Sequence, residues 1–118
     1  MYYKHETGKE GENIATKYLE QNGYEIIDRN FRCKAGEIDV IARNNGEYVF
    51  IEVKTRSNKN YGLASEAVNK QKQSHLLKTI KYYIYLNRLE NKFIRIDVIE
   101  VYIRQNKAYI NHIKHAIG

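Results

Sequence analysis

Apolar positions recur along this chain with two different periods. From Thr7 to Asn22 the residues Ile14, Ala15, Tyr18 and Leu19 fall at helical spacing, Thr7-Gly8-Lys9-Glu10 is spaced as a capping box, and Gly23 follows as a stop. A first helix over 7–22 is predicted. Tyr24 to Phe31 and Glu37 to Arg43 have β-type composition, separated by a turn at Gly36. Asn44-Asn45-Gly46 tolerates positive φ, so Glu47 to Lys54 returns antiparallel as the second arm of a hairpin. That arm is apolar on both faces, which marks a central strand. The polar stretch Thr55 to Leu63 reads as a loop into a long helix from Ser65 to Asn87, with Val68, Leu76, Ile80, Tyr83 and Ile84 as its buried stripe. Phe93 to Ile103 is a further strand, and Ala108 to Ile113 adds a short edge strand after the Gln105-Asn106-Lys107 turn. The order αβββαβ(β) predicts an α/β sandwich with a mixed central sheet flanked by helices, in which the crossover helix permits one parallel pair.

A chain of 118 residues without repeats or linkers suits one domain over 1–118. No apolar run approaches a membrane span, the start lacks a secretory h-region, and Cys33 has no partner cysteine, so a cytoplasmic setting with no membrane partner is expected. Cys33 is read as structural. The net charge is +6, but it is unevenly distributed. Residues 1–53 hold 7 Lys/Arg against 10 Asp/Glu, and residues 54–118 hold 13 against 4. Such segregation is either a solvated basic face or a phosphate-binding flank beside an acidic cluster.

The most apolar strand is interrupted by Glu52 and Lys54, which its period of two puts on one face with Tyr48 and Phe50. Charges within a central strand need a partner, a metal or an open strand end. The Asn44-Asn45-Gly46 turn folds the strand of Asp39 back along that of Glu52, so the two acids can be neighbours. Adjacent carboxylates repel unless a cation lies between them, and hard oxygen ligands suit Mg²⁺ or Mn²⁺. Lys54 could then hold a water or a phosphate oxygen near that ion, as phosphodiester hydrolysis requires.

Gly36-Glu37-Ile38-Asp39 followed by Phe50-Ile51-Glu52-Val53-Lys54-Thr55-Arg56 resembles the active-site signature of the PD-(D/E)xK, or restriction-endonuclease-like, superfamily. From about Gly8 to Ile103 the chain is similar to the YraN-like family of small bacterial predicted endonucleases. The resemblance implies a restriction-endonuclease-like αβββαβ core related to Holliday-junction resolvases, and an endonuclease acting on branched or structured DNA. It puts the motif's acids on Asp39 and Glu52 and its lysine on Lys54, and adds the Val53 carbonyl as a metal ligand. Ile38 stands where the superfamily motif has proline, as in the YraN-like group. An acid of the first helix near the metal is also implied, and Gly11-Glu12 within the Gly-Glu-x-x-Ala pattern matches it.

Glu12 falls on the apolar stripe of the first helix by spacing alone, facing the sheet or lying solvated at its edge. Lys72 falls on the stripe of the second helix, where a phosphate or active-site contact and snorkelling to solvent are both open. Arg56, Lys59, Lys70 and Lys72 are the expected nucleic-acid contacts beside the acidic centre. Asp97 is read as structural, bonded to Arg95 or a neighbouring strand. The four histidines have no zinc-ligand spacing. Tyr82-Tyr83-Ile84-Tyr85 carries more aromatic surface than one helix face can bury, so the outer tyrosines form a dimer contact or stack on bases; the first is preferred, giving a symmetric homodimer through this helix or the last strand. The competing reading is a non-catalytic nucleic-acid-binding module of the same fold.

Overall fold

The structure is a computed structural model that describes residues 3–56 and 70–117, with side chains from Lys9 onward. Helix α1 spans Tyr3–Gln21, strands β1, β2 and β3 span Glu25–Cys33, Gly36–Asn44 and Glu47–Arg56, helix α2 spans Lys70–Leu86, and β4 and β5 span Phe93–Arg104 and Lys107–Ile117. The sheet order follows the chain, β1-β2-β3-β4-β5, with β3 and β4 parallel and the other pairs antiparallel. This is the mixed α/β sheet expected, and β3 is its central strand. Among the described residues no helix is long and apolar enough to cross a membrane.

Two cores sit on opposite faces of the sheet. Ala15 and Leu19 of α1 pack with Val40, Ala42, Val49, Ile51, Ile99 and Val101. Leu76, Ile80 and Tyr83 of α2 pack with Ile38, Ile41, Phe50 and Ile96. Strand β3 feeds both, Val49 and Ile51 to one and Phe50 to the other, which is why neither of its faces is polar there. The β2–β3 hairpin closes through Asn45 and Gly46 at φ of 51° and 81°, between the paired residues Asn44 and Glu47. Two consecutive positive φ values define the two-residue turn whose twist matches the strands.

Several boundaries differ from those expected. Helix α1 begins at Tyr3, ahead of the expected cap, since no Gly or Pro stands between Tyr3 and Thr7 to stop it. Strand β3 runs on through Thr55 and Arg56 because β4 continues to pair with it as far as Arg56↔Tyr102. Strand β5 is a full 11 residues rather than a short edge. Residues 57–69, including Lys59, Val68 and most of the expected loop, lie outside the described residues.

Candidate active site

The site is created where β2 and β3 part. Their last pair at this end is Val40↔Ile51, and the same register would next bring Asp39 opposite Glu52 and Ile38 opposite Val53. Those pairs do not form. Strand β2 stays with β1 as far as Cys33↔Gly36, while β3 stays with β4, so the sheet opens into a fork. The side-chain phase of β2 also inverts here: Val40 points into the α1 core, whereas Ile38, two residues away, points into the α2 core. Asp39 is the residue in the crotch. Its Oδ2 accepts the Val53 N–H at 2.8 Å in place of the missing ladder bond. Because the N–H and C=O of a strand residue point to the same edge, the Val53 carbonyl faces the fork as well.

Glu52 and Lys54 project from β3 on the α2 side of the sheet, the face of Phe50. Lys54 Nζ lies 3.8 Å from Glu52 Oε2, and the two side chains are 21% and 17% exposed. Between the fork and the start of α2 is a cleft of about 300 Å³ lined by Glu37, Asp39, Glu52, Lys72 and His75, with Gly36 and Leu76 at its walls. Asp39, Glu52 and Lys54 are therefore brought together at one end of the sheet.

The electrostatics of the fork follow from that crowding. Burial and the Glu52 charge push the Asp39 carboxyl up to about 8; the Val53 N–H opposes the shift, and Glu12 and Glu37 add to it. Burial also raises Glu52 against the pull of Lys54 and Lys72, and Asp39 shares a hydrogen bond with it. Lys54 is lowered by burial and by the neighbouring Lys72, which outweigh Glu52 and Asp39. Two carboxylates are thus held where neither ionises readily, a conflict that a proton or a cation between them relieves.

Asp39, Glu52 and the Val53 carbonyl are the groups that could hold a hard divalent cation such as Mg²⁺ or Mn²⁺. Among the described residues no group of three or more His, Cys, Asp or Glu is arranged to hold a metal. Two carboxylates and a backbone carbonyl suit Mg²⁺, which keeps several waters and is held by one or two carboxylates, better than Ca²⁺ or Zn²⁺.

The other expected residues divide. Glu12 is 19% exposed and faces Arg29 of β1 at 3.6 Å; its charge reaches Asp39 from the α1 side. Lys70 is the first described residue of α2 and is exposed. Lys72 is exposed rather than part of the buried stripe, and it lines the cleft. Arg56 is 21% exposed and pairs at 3.8 Å with Glu100, a side chain only 1% exposed. Asp97, wholly buried, is bonded by Arg95 at 2.9 Å, His112 at 2.7 Å and the His115 N–H at 3.1 Å, a structural network that also reaches Tyr18 through His112. Three residues were not anticipated. Glu37 and His75 line the cleft, and His75 lies one helical turn after Lys72, a spacing that signals a shared face. Glu100 interrupts an apolar strand as Glu52 does, and accepts hydrogen bonds from Tyr102 at 3.0 Å and Asn111 at 2.9 Å.

A family model described as "Uncharacterised protein family UPF0102" matches residues 11–101. Similar chains include a UPF0102 protein of Clostridium botulinum, 48% identical over 98% of this chain and 96% of its own. Another, from Caldicellulosiruptor saccharolyticus, is 44% identical over 96% of this chain and 98% of its own. Among solved structures, SfsA of Pyrococcus furiosus in complex with Ca²⁺ aligns with a TM-score of 0.39 and 15% identity, covering 94% of this chain and 63% of that one.

Proposed function

The chain belongs to the uncharacterised protein family UPF0102, and we propose that it is a Mg²⁺- or Mn²⁺-dependent endonuclease of the PD-(D/E)xK type, cutting branched or structured DNA. The observation that carries this reading is the fork, where Asp39 and Glu52 share one cleft with Lys54 beside them.

Asp39, Glu52 and the Val53 carbonyl would hold the ion, which when bound supplies charge to a phosphate oxygen and acidifies a water. Asp39 is kept in place by the Val53 N–H, so its orientation does not depend on the ion. Lys54 stands 3.8 Å from Glu52 and orients a water or a phosphate oxygen in the cleft. Lys72 and His75 form the opposite wall, where Lys72 offsets the negative charge of the acids and His75 can give or take a proton at the leaving oxygen. Glu12 acts from the α1 side, through its charge on Asp39. Paired incisions across a junction require two such centres, so the reading includes a symmetric homodimer, with Tyr85, Leu86 and Phe93 as exposed apolar surface for it.

The test is incubation of the purified protein with labelled branched, duplex and single-stranded DNA in Mg²⁺, Mn²⁺ or EDTA. Wild type cuts in the presence of metal alone. Glu52→Gln keeps the side chain's size, loses cleavage by about 100-fold or more, and binds DNA at least as well because a repelling charge is gone. Equal cutting by wild type and variant would remove Glu52 from the mechanism. The second reading is a binding module of the same fold in which the carboxylates hold a structural ion, since among the described residues no group of three His, Cys, Asp or Glu is arranged to hold a metal. In that case both proteins bind and neither cuts.

A further inference from the structure

Next to the cleft is a second cavity, of about 480 Å³, lined by Arg32, Cys33, Lys34, Ala35 and Tyr82. Ala35 lines both cavities, so the two adjoin at the β1–β2 turn. Arg32 of the second cavity also pairs at 3.4 Å with Glu37 of the cleft. The two cavities have opposite chemistry. The cleft is lined by three acids, whereas the described lining of its neighbour has two cations, an aromatic ring and no carboxylate.

The ring is held in place from one side. Phe31 lies 6.3 Å from Tyr82 at 38° and is itself anchored edge-on against Tyr83 at 5.0 Å. Tyr82 nevertheless remains 45% exposed, although its neighbour Tyr83 is buried in the core. An exposed aromatic face in a cavity that also holds two cations suits a planar base whose flanking phosphates reach Arg32 and Lys34. It suits a base only when that base is outside the helical stack, since a paired base presents its edge and not its face.

We propose that this cavity is a nucleotide subsite that takes one unpaired nucleotide of the nucleic-acid substrate, stacking its base on Tyr82, and so selects strands with an unpaired position beside the bond in the cleft. The inference rests on the nuclease reading of that cleft. An already unpaired base enters at little cost, whereas extruding a paired one costs unstacking and unpairing energy. The unpaired position is thereby the feature recognised, which gives the site a structural preference without any sequence-reading element.

The test is a binding titration in EDTA with a fluorescent duplex and with the same duplex carrying one unpaired nucleotide. Wild type prefers the second by about tenfold, the scale of one base–aromatic stack. Tyr82→Ala loses the preference and Tyr82→Phe keeps it. Lys34→Ala, at an exposed turn position, weakens the complex with the unpaired nucleotide more than that with the plain duplex and lowers the salt slope of the former by about one. Equal wild-type affinity for the two duplexes, or a preference that survives Tyr82→Ala, overturns the subsite and leaves the nuclease reading standing. Failure of wild type to bind either DNA, in EDTA and also with Ca²⁺ added, overturns both.

Discussion

Two aspartates in this fold carry opposite linkage to pH. Asp97 is pushed up by burial, but hydrogen bonds from His112, Arg95 and the His115 N–H outweigh that and leave its carboxyl below the usual range. Its contribution is present above the ordinary carboxylate range and is lost on acidification. Asp39 behaves the other way, because burial and then its acidic neighbours raise its carboxyl. The unfolded chain releases the Asp39 proton near pH 4, whereas the folded chain keeps it until about 8. Between those limits the folded state binds more protons, so stability falls as pH rises through the window and the loss is complete above it. Asp39→Asn removes the charge and keeps an oxygen for the Val53 N–H. In metal-free buffer at pH 8 the variant is expected to melt roughly 3 °C or more above wild type, with the gap closing toward pH 4. Mg²⁺ at pH 8 then raises the wild-type Tm and leaves the variant's unchanged. Melting curves that run parallel across the pH range would mean that Asp39 is not the strained group.

At the scale of elements, the site depends on how closely α1 approaches the end of β3. Gly11 is buried at that contact, and a Cβ there would lie 1.9 Å from Thr55 Oγ1 and 3.0 Å from Thr55 Cβ. Gly11→Ala gains about 1 kcal/mol in helix propensity but overpacks the contact, at a cost of about 1–3 kcal/mol, so the clash wins. The variant is expected to melt lower and to cut more slowly, because lifting α1 moves Glu12 away from Asp39. Adding Thr55→Ala removes the clashing oxygen and restores most of the stability. A Gly11→Ala chain that melts above wild type would show that this contact is slack. Much of the element order was legible for a simple reason: β3 is apolar on both faces, and Asn45-Gly46 can close only a tight hairpin. The proximity of Asp39 and Glu52 follows from the same two facts. The parting of β2 from β3 was not legible, since it depends on β1 and β4 holding their partners past Val40↔Ile51. The ion pair of Arg56 was not legible because its partner, Glu100, is brought beside it only by the parallel β3–β4 register. Lys72 does continue the stripe of Leu76 and Ile80, but beneath that first turn of α2 lies the open cleft rather than the core.

Over the whole molecule, the uneven charge along the chain becomes a division of labour around the fork. The acidic first half contributes Glu12, Glu37, Asp39 and Glu52, which repel a phosphodiester until a cation intervenes. The basic second half is spread over α2, β4 and β5, and not all of it can meet the same strand of DNA. Helix α2 begins at the cleft, where Lys72 and His75 form a wall, whereas β5 is separated from β3 by the whole of β4. On the proposed nuclease reading the footprint includes the start of α2, with Lys70 and Lys72, and not Lys107 and Lys114 on the sheet edge. Each neutralised phosphate contributes about 0.9 to the slope of log K against log salt on duplex DNA. Replacing Lys70 and Lys72 together by alanine should flatten that slope by about two, for any DNA sequence, while replacing Lys107 and Lys114 should leave it as it was. The opposite pattern would put the DNA along β5, remote from the fork, and would separate whatever these lysines bind from the chemistry proposed for Asp39 and Glu52.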